Sequence, residues 1–444
     1  MSTTASFDCV LAGATVVTPR GAAVTDVGIT QGRFAALGDL GGAKTAERID
    51  AKGLHCLPGV IDSQCHFREP GLTHKEDLGS GSAGAAMGGV TTFFEMPNTK
   101  PNTVSAERLA KKLALAAEKS WVDFAFYIGG TKENAAQLGE LEKLPGCAGI
   151  KVFLGSSTGT LLMDDVSALE IALTSGSRRM AFHSEDEARL KARQHLAEGK
   201  PVSFHPQWRD EETAVISTRR LLELARQAGR KIHVLHVTTA GEIALLAAAR
   251  DFATFEVTPQ HLTLAAPDCY ERLGTLAQMN PPIRDARHRD ALWKAVNDGL
   301  VDVLGSDHAP HTLEEKQQPY PKSPSGMPGV QTLLPLMLNH HAQGRLSLER
   351  LVDLTAHGAA RVFGLQGKGG IVVGNDADVV LVDLKAERTI TNGSMKTRCG
   401  WTPFDGMRVT GWPMATMLRG QWVMRDGALL GAPQGRAVSF LPST

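Results

Sequence analysis

The stretch Pro58-Gly59-Val60-Ile61-Asp62-Ser63-Gln64-Cys65-His66-Phe67-Arg68-Glu69-Pro70-Gly71 decides the reading of this chain. An apolar run suited to a buried strand ends there in a cluster of side chains able to bind a metal or an anion. Side chains alternate along a strand, so Gln64 and His66 share a face while Cys65 points the other way and packs. A strand ending in such a cluster gathers its chemistry at one end, and other strands must then end nearby.

The chain supplies them. Segments 56–62, 90–96, 122–127, 149–154, 180–183, 231–236, 254–258 and 301–305 are short and apolar and read as strands. Helical stretches at 106–118, 186–197, 212–227, 242–249 and 287–298 separate them, and a helix over 346–363 closes the series. Repeated strand-helix units of this kind predict an α/β fold, an eightfold (β/α)8 barrel of the TIM type. The flanks have a different texture, short apolar runs between Gly-containing turns, both before residue 57 and after residue 370. The two chain ends are therefore expected to pair into one small β-sandwich domain. Expected boundaries are 1–57 and 367–444 for the two parts of the sandwich and 58–366 for the catalytic barrel.

With 444 residues, 42% of them hydrophobic, and 47 basic against 47 acidic side chains, the composition argues against a polyanionic partner or a disordered tail. Nucleic acid and membrane surfaces are accordingly not expected as partners. Residues 1–10 lack a basic segment followed by an apolar one, and no apolar run reaches the length of a membrane span, so a cytoplasmic protein is expected. Six cysteines scattered without CxxC spacing suit reduced thiols.

In an eightfold barrel, catalytic side chains sit at the C-terminal ends of different strands. Gln64 and His66 follow the first predicted strand, Asn98 the second and Asp307 the eighth, while Lys151 lies in the fourth and His183 and His236 end the fifth and sixth. His66, His183 and His236 stand at the mouth, whereas His55, His195, His340 and His341 do not. Imidazole nitrogens and carboxylate oxygens with open positions suit a catalytic zinc pair. Lys151 sits in an apolar strand where a bare ammonium is costly; it either snorkels to the mouth, pairs with a carboxylate, or loses its charge. Asp307 could cap a helix, but Pro310 and the long loop after it favour a ligand role.

The opening stretch resembles the first metal motif of the amidohydrolase superfamily, and Arg68-Glu69-Pro70-Gly71 has the form seen in dihydroorotases. The tetrad Met96-Pro97-Asn98-Thr99, the strand Gly149-Ile150-Lys151-Val152-Phe153-Leu154-Gly155 and the run from Ser306 to Lys316 are similar to that family too, so the resemblance covers about the whole chain. It implies a zinc-dependent cyclic amide hydrolase. Its two metals would be held by His66, Asp307 and carboxylated Lys151 on one side, and by His183, His236 and the same bridging Lys151 on the other. One departure stands out: the family pattern Asp-x-His-x-His reads here Asp62-Ser63-Gln64-Cys65-His66. A neutral amide is a poorer zinc ligand than imidazole, so Gln64 is expected as a weak ligand and the first metal as the less tightly held.

Arg68, Asn98 and His311 can together hold a substrate carboxylate, with Arg68 supplying a planar fork; alternatively Arg68 pairs with Glu69 or Glu76. By resemblance Asn280 contacts a pyrimidine ring, although it also starts a Pro turn, and Gly326 offers a backbone contact to substrate. The hydroxyl-rich loop 155–160 reads as a mobile lid, and it lacks the GK[ST] ending of a phosphate loop. The implied reaction is the reversible cyclisation of N-carbamoyl-L-aspartate to L-dihydroorotate in pyrimidine biosynthesis, with metal-activated hydroxide and Asp307 as general acid and base. Two alternatives stay open: an allantoinase or hydantoinase-like cyclic amidase, and a catalytically impaired partner of aspartate transcarbamoylase. A homodimer is expected only because two-fold oligomers are common.

Overall fold

A computed structural model describes residues 6–157 and 159–441. Its central feature is a change of sheet at Pro58-Gly59. His55–Pro58 pairs antiparallel with the strand Val379–Thr389, whereas Val60 already pairs with Val90 in a second sheet. The strand expected over 56–62 is thus two strands in two sheets. The crossing is tight, since a Cβ at Gly59 would lie 2.2 Å from Thr91 Oγ1. Glycine alone lets the chain pass.

The second sheet is the barrel. Its strands are Val60–Cys65, Val90–Glu95, Asp123–Gly129, Cys147–Phe153, Met180–His183, Ile232–Val234, Ala253–Val257 and Val303–Leu304, paired in chain order and all parallel. The edges approach where the His66 amide donates to the His308 carbonyl at 2.7 Å, beside a parallel bridge between Cys65 and His308. Burial on both faces explains why these strands read as continuous apolar runs and not as alternating ones. Cys65 is buried in the core between strands and outer helices, as its alternation predicted.

Amphipathic helices Ala106–Lys119, Glu211–Gln227 and Ala286–Asn297 surround the barrel and begin on Ser105, Asp210 and Asp285, whose side chains accept the first free amides. Helix Leu78–Met87 was not expected from the sequence. Gly and Ser dominate it because it packs closely; a Cβ at Gly81 would lie 2.5 Å from the Phe67 ring.

The two chain ends do pair. Nine strands form one hydrogen-bonded sheet in which Ser6–Thr18 from the start of the chain and Val379–Thr389 from its later part flank His55–Pro58. Leu11, Val27, Phe34, Val379 and Met417 build its core. The buried ammonium of Lys368 ties this sheet to the barrel, lying 2.8 Å from Asp123 and 2.6 Å from Asp378. Val438 and Phe440 pack against Phe94 and Tyr127, closing the barrel at the end opposite its mouth. Among the described residues no helix is long and apolar enough to cross a membrane.

Candidate active site

The mouth is shaped by backbone that ordinary residues avoid. Arg68, His236 and Asp307 all have positive φ, at 66°, 36° and 42°. Each such residue costs about 1–3 kcal/mol, an expense typical of functional sites. The surroundings hold them there: the Ser306 amide donates to Asp62 Oδ1 at 2.9 Å, the His308 amide to Ser306 Oγ at 3.0 Å, and the Val237 amide to the Glu256 carbonyl at 2.9 Å.

His183 and His236 converge. The His183 Nδ1 lies 3.0 Å from His236 Nε2, and the other His183 nitrogen, Nε2, lies 2.8 Å from Glu185. A carboxylate accepts, so His183 Nε2 carries the proton and Nδ1 presents its lone pair towards His236. Burial would raise the Glu185 carboxyl, but Arg209 and His183 hold it well below the usual carboxylate range. Burial also keeps both imidazoles neutral, lowering them from their ordinary values. Neutral imidazole backed by a carboxylate is the form that binds metal.

A second convergence faces the first. His66 Nδ1 lies 2.8 Å from Asn98 Oδ1 and therefore carries the proton; its lone pair at Nε2 faces Asp307 Oδ1 at 3.3 Å. Two electron-rich atoms so placed call for a cation between them. Gln64 Nε2 donates to the same Asp307 oxygen at 3.0 Å, and its Oε1 is buried with no hydrogen-bond partner among the described residues. Lys151 Nζ is likewise buried with no hydrogen-bond partner among the described residues, 4.4 Å from the centre of the Phe153 ring, and burial brings it down to about 7 against the pull of Asp307 and Glu256. A neutral amine at that position is able to take up carbon dioxide, and a carbamate there would offer two oxygens. The donor chemistry thus fits a metal pair, with imidazole nitrogens, a carboxylate and a lysine facing one space.

Gln64, His66, Arg68, Asn98, Lys151, His183, His236, Asn280, Asp307 and Gly326 line one inner cavity of ≈ 20 Å³. That holds about one water. Ser157, Asn280 and Ser325 also line an outer chamber of ≈ 460 Å³ leading to it. Ser157 belongs to the predicted lid; Thr158 of the same loop lies outside the described residues.

His311 does not line the cavity. It stands behind Arg68, with Nε2 3.2 Å from the guanidinium and Nδ1 3.0 Å from Lys75 Nζ. Arg68 itself is buried and donates to the Pro310 carbonyl at 3.1 Å. Neither alternative carboxylate is its partner: Glu69 pairs with Lys119, and Glu76 lies beside His308. The Gly326 amide already donates to the Gln278 carbonyl at 2.9 Å, and its carbonyl accepts from Lys316 Nζ at 2.9 Å, so both backbone groups are engaged within the protein. Three residues that sequence reading missed hold the lining in place. Glu185 and Arg209 orient His183, and His205 Nε2 lies 2.9 Å from Asn280 Oδ1. Glu185, two residues past a strand-ending histidine, was the one with a visible signal.

A parallel barrel that gathers imidazoles, a lysine and a carboxylate at its strand ends has the architecture of a metal-dependent hydrolase. Residues 56–423 match the amidohydrolase family, and the chain belongs to that family. It is an enzyme, a cyclic amide hydrolase acting on a small molecule. It is 40% identical to a dihydroorotase of Halobacterium salinarum, covering 88% of this chain and 94% of that one. An allantoinase of Rubrobacter xylanophilus is 37% identical, with 98% of both chains covered. Among solved structures, the L-hydantoinase of Arthrobacter aurescens superposes with a TM-score of 0.94 at 30% identity, covering 98% of this chain and 100% of that one.

Proposed function

We propose that this enzyme is a dihydroorotase, interconverting N-carbamoyl-L-aspartate and L-dihydroorotate in cytoplasmic pyrimidine synthesis. The observation that carries the reading is Arg68: a guanidinium buried at the cavity wall that donates to the neutral Pro310 carbonyl, with Asp307, Glu95, Glu315 and Glu76 acting on it only through space. A buried cation of this kind calls for an anion, and the carboxylate of dihydroorotate supplies it, whereas hydantoin and allantoin rings carry none.

The proposed ligands are His66, Asp307 and carboxylated Lys151 for one zinc, and His183, His236 and the same Lys151 for the other, the first site having one imidazole fewer and the weaker hold. When bound, the zinc ions supply a hydroxide nucleophile and polarise the scissile carbonyl. Asp307, whose carboxylate faces the cavity beside His66, takes the proton as oxygen adds to carbon and delivers it to the ring nitrogen as the carbon–nitrogen bond breaks. Asn98 keeps the His66 proton on Nδ1, and Asn280, held by His205, faces the ring. A homodimer accords with the prevalence of two-fold assemblies. Association with aspartate transcarbamoylase is the alternative for a chain relieved of catalysis, which the full set of ligand-type residues disfavours.

The outer chamber favours a second reading, an allantoinase-like enzyme, because it has room for a substituent that dihydroorotate lacks. Replacing the guanidinium separates the two. Arg68→Met should raise KM for dihydroorotate by about 10–100-fold, the worth of a hydrogen-bonded charge, and leave any turnover of uncharged rings in place. An unchanged KM would remove the basis of the dihydroorotase reading.

A further inference from the structure

The amide of Gln64 stands where the family motif has a ligand histidine, and its surroundings give it other work. Gln64 is buried on the first barrel strand. Its Nε2 is 3.0 Å from Asp307 Oδ1, and a carboxylate oxygen accepts, so the NH₂ end must face Asp307. Turning the amide over would set two oxygens against each other. The opposite end, Oε1, is thereby fixed, and it is buried on a cavity-lining residue with no hydrogen-bond partner among the described residues. An unsatisfied buried acceptor is costly, and a donor arriving with the substrate would offset that cost.

We infer that Gln64 is not a metal ligand but a two-ended positioning residue: Nε2 orients the Asp307 carboxylate and Oε1 receives the N–H of the substrate's ring amide. The assignment rests on the cyclic amide reading of the site. It explains why a neutral amide suits this place, because one rigid group then aligns the proton carrier with the nitrogen that receives the proton. During ring opening, the hydroxide oxygen bonds to the carbonyl carbon, its proton passes to Asp307, the carbon–nitrogen bond breaks, and the nitrogen leaves with the Asp307 proton as a neutral ureido NH₂. In the reverse direction the same amide would hold that nitrogen for attack on the side-chain carboxyl. An imidazole at position 64 can offer a donor to Asp307 or an acceptor to the ring, but on binding metal it surrenders the acceptor.

The test compares the parent with Gln64→Met, similar in length and lacking both amide ends. Three quantities are read: metal content per chain by mass spectrometry, kcat and KM on L-dihydroorotate, and the preference for that substrate over its analogue methylated on the ring nitrogen. The variant should keep the parent's metal content, lose about tenfold or more in kcat, and lose about tenfold of its preference for N–H over N-methyl, the worth of one hydrogen bond at each end. Loss of a metal equivalent would make Gln64 a ligand and overturn the inference, as would an undiminished N–H preference. Should the variant fold poorly, calorimetry on the chelator-stripped parent decides: about tenfold tighter binding of the N–H ring supports the role, and equal affinity of both rings contradicts it. If the parent opens no dihydroorotate at all, the ring assignment fails, while the metal content of Gln64→Met still decides whether residue 64 is a ligand.

Discussion

Glu185 determines how His183 can bind. With Nε2 committed to the carboxylate 2.8 Å away and Arg209 holding Glu185 in turn, only Nδ1 is left for a cation. Glu185→Gln keeps the shape but gives up the charge, so zinc affinity measured by chelator competition should fall about 10–100-fold, the usual effect of losing such a supporting partner. Affinity equal to the parent's would show that His183 needs no anchor. Asp307→Ala should lower turnover by at least about a hundredfold in both directions with an unchanged unfolding profile; near-parental turnover of either substrate would remove Asp307 from the proton path. The convergence of His66, Lys151, His183, His236 and Asp307 on one cavity was legible in the sequence because ligand-type residues stood at the ends of predicted strands. Arg209 and His205 were not, since each acts through another side chain and its role exists only once two distant segments meet.

Elements with one wet face announced themselves, and elements buried all round did not. Glu211–Gln227 alternates apolar and charged residues at helical spacing and was expected within one residue of its start. Leu78–Met87 and Leu333–Ala342 bury most of their residues and carry no stripe that a periodicity search could find. The eighth strand is only Val303–Leu304, because the barrel seam beyond it closes through the His66 amide and the Asp62 side chain. Asp210, which caps Glu211–Gln227, also meets Arg189 at 2.6 Å. Burial works against its ionisation, yet the bonds from Arg189 and Thr213 bring the carboxyl down to about 2. A depressed folded-state value stabilises the protein above the unfolded value of about 3.9 and loses that contribution as pH falls towards the folded one. Asn caps nearly as well as Asp, so Asp210→Asn isolates the charge. Urea unfolding should show the variant less stable by about 1 kcal/mol at pH 7 and at pH 5, with the gap closing as the pH is lowered towards 2. A gap that does not depend on pH would assign the effect to packing.

At the scale of the whole molecule, the pairing of the chain ends was legible from their shared texture, but the attachment of that sheet to the barrel was not. It depends on charges far apart in sequence. Lys368 is buried among Asp123, Asp376 and Asp378, and Arg419 reaches the same Asp123. Lys368→Met would leave those carboxylates short of a buried partner, so it should destabilise the protein by about 3–5 kcal/mol in urea unfolding, with kcat of the folded enzyme unaltered because the cluster lies away from the mouth. Unchanged stability would show that the sheet docks by its apolar surface alone. The molecule thus presents a sealed barrel floor, a docked sheet and a polar mouth whose wall carries the buried guanidinium of Arg68. The most direct test of that account is kcat/KM of the zinc-loaded enzyme on L-dihydroorotate, hydantoin and allantoin measured side by side. Dihydroorotate should lead by about a hundredfold or more, the discrimination expected when a buried charge is left unpaired by the wrong ring; allantoin or hydantoin turned over as well as dihydroorotate would contradict the dihydroorotase reading.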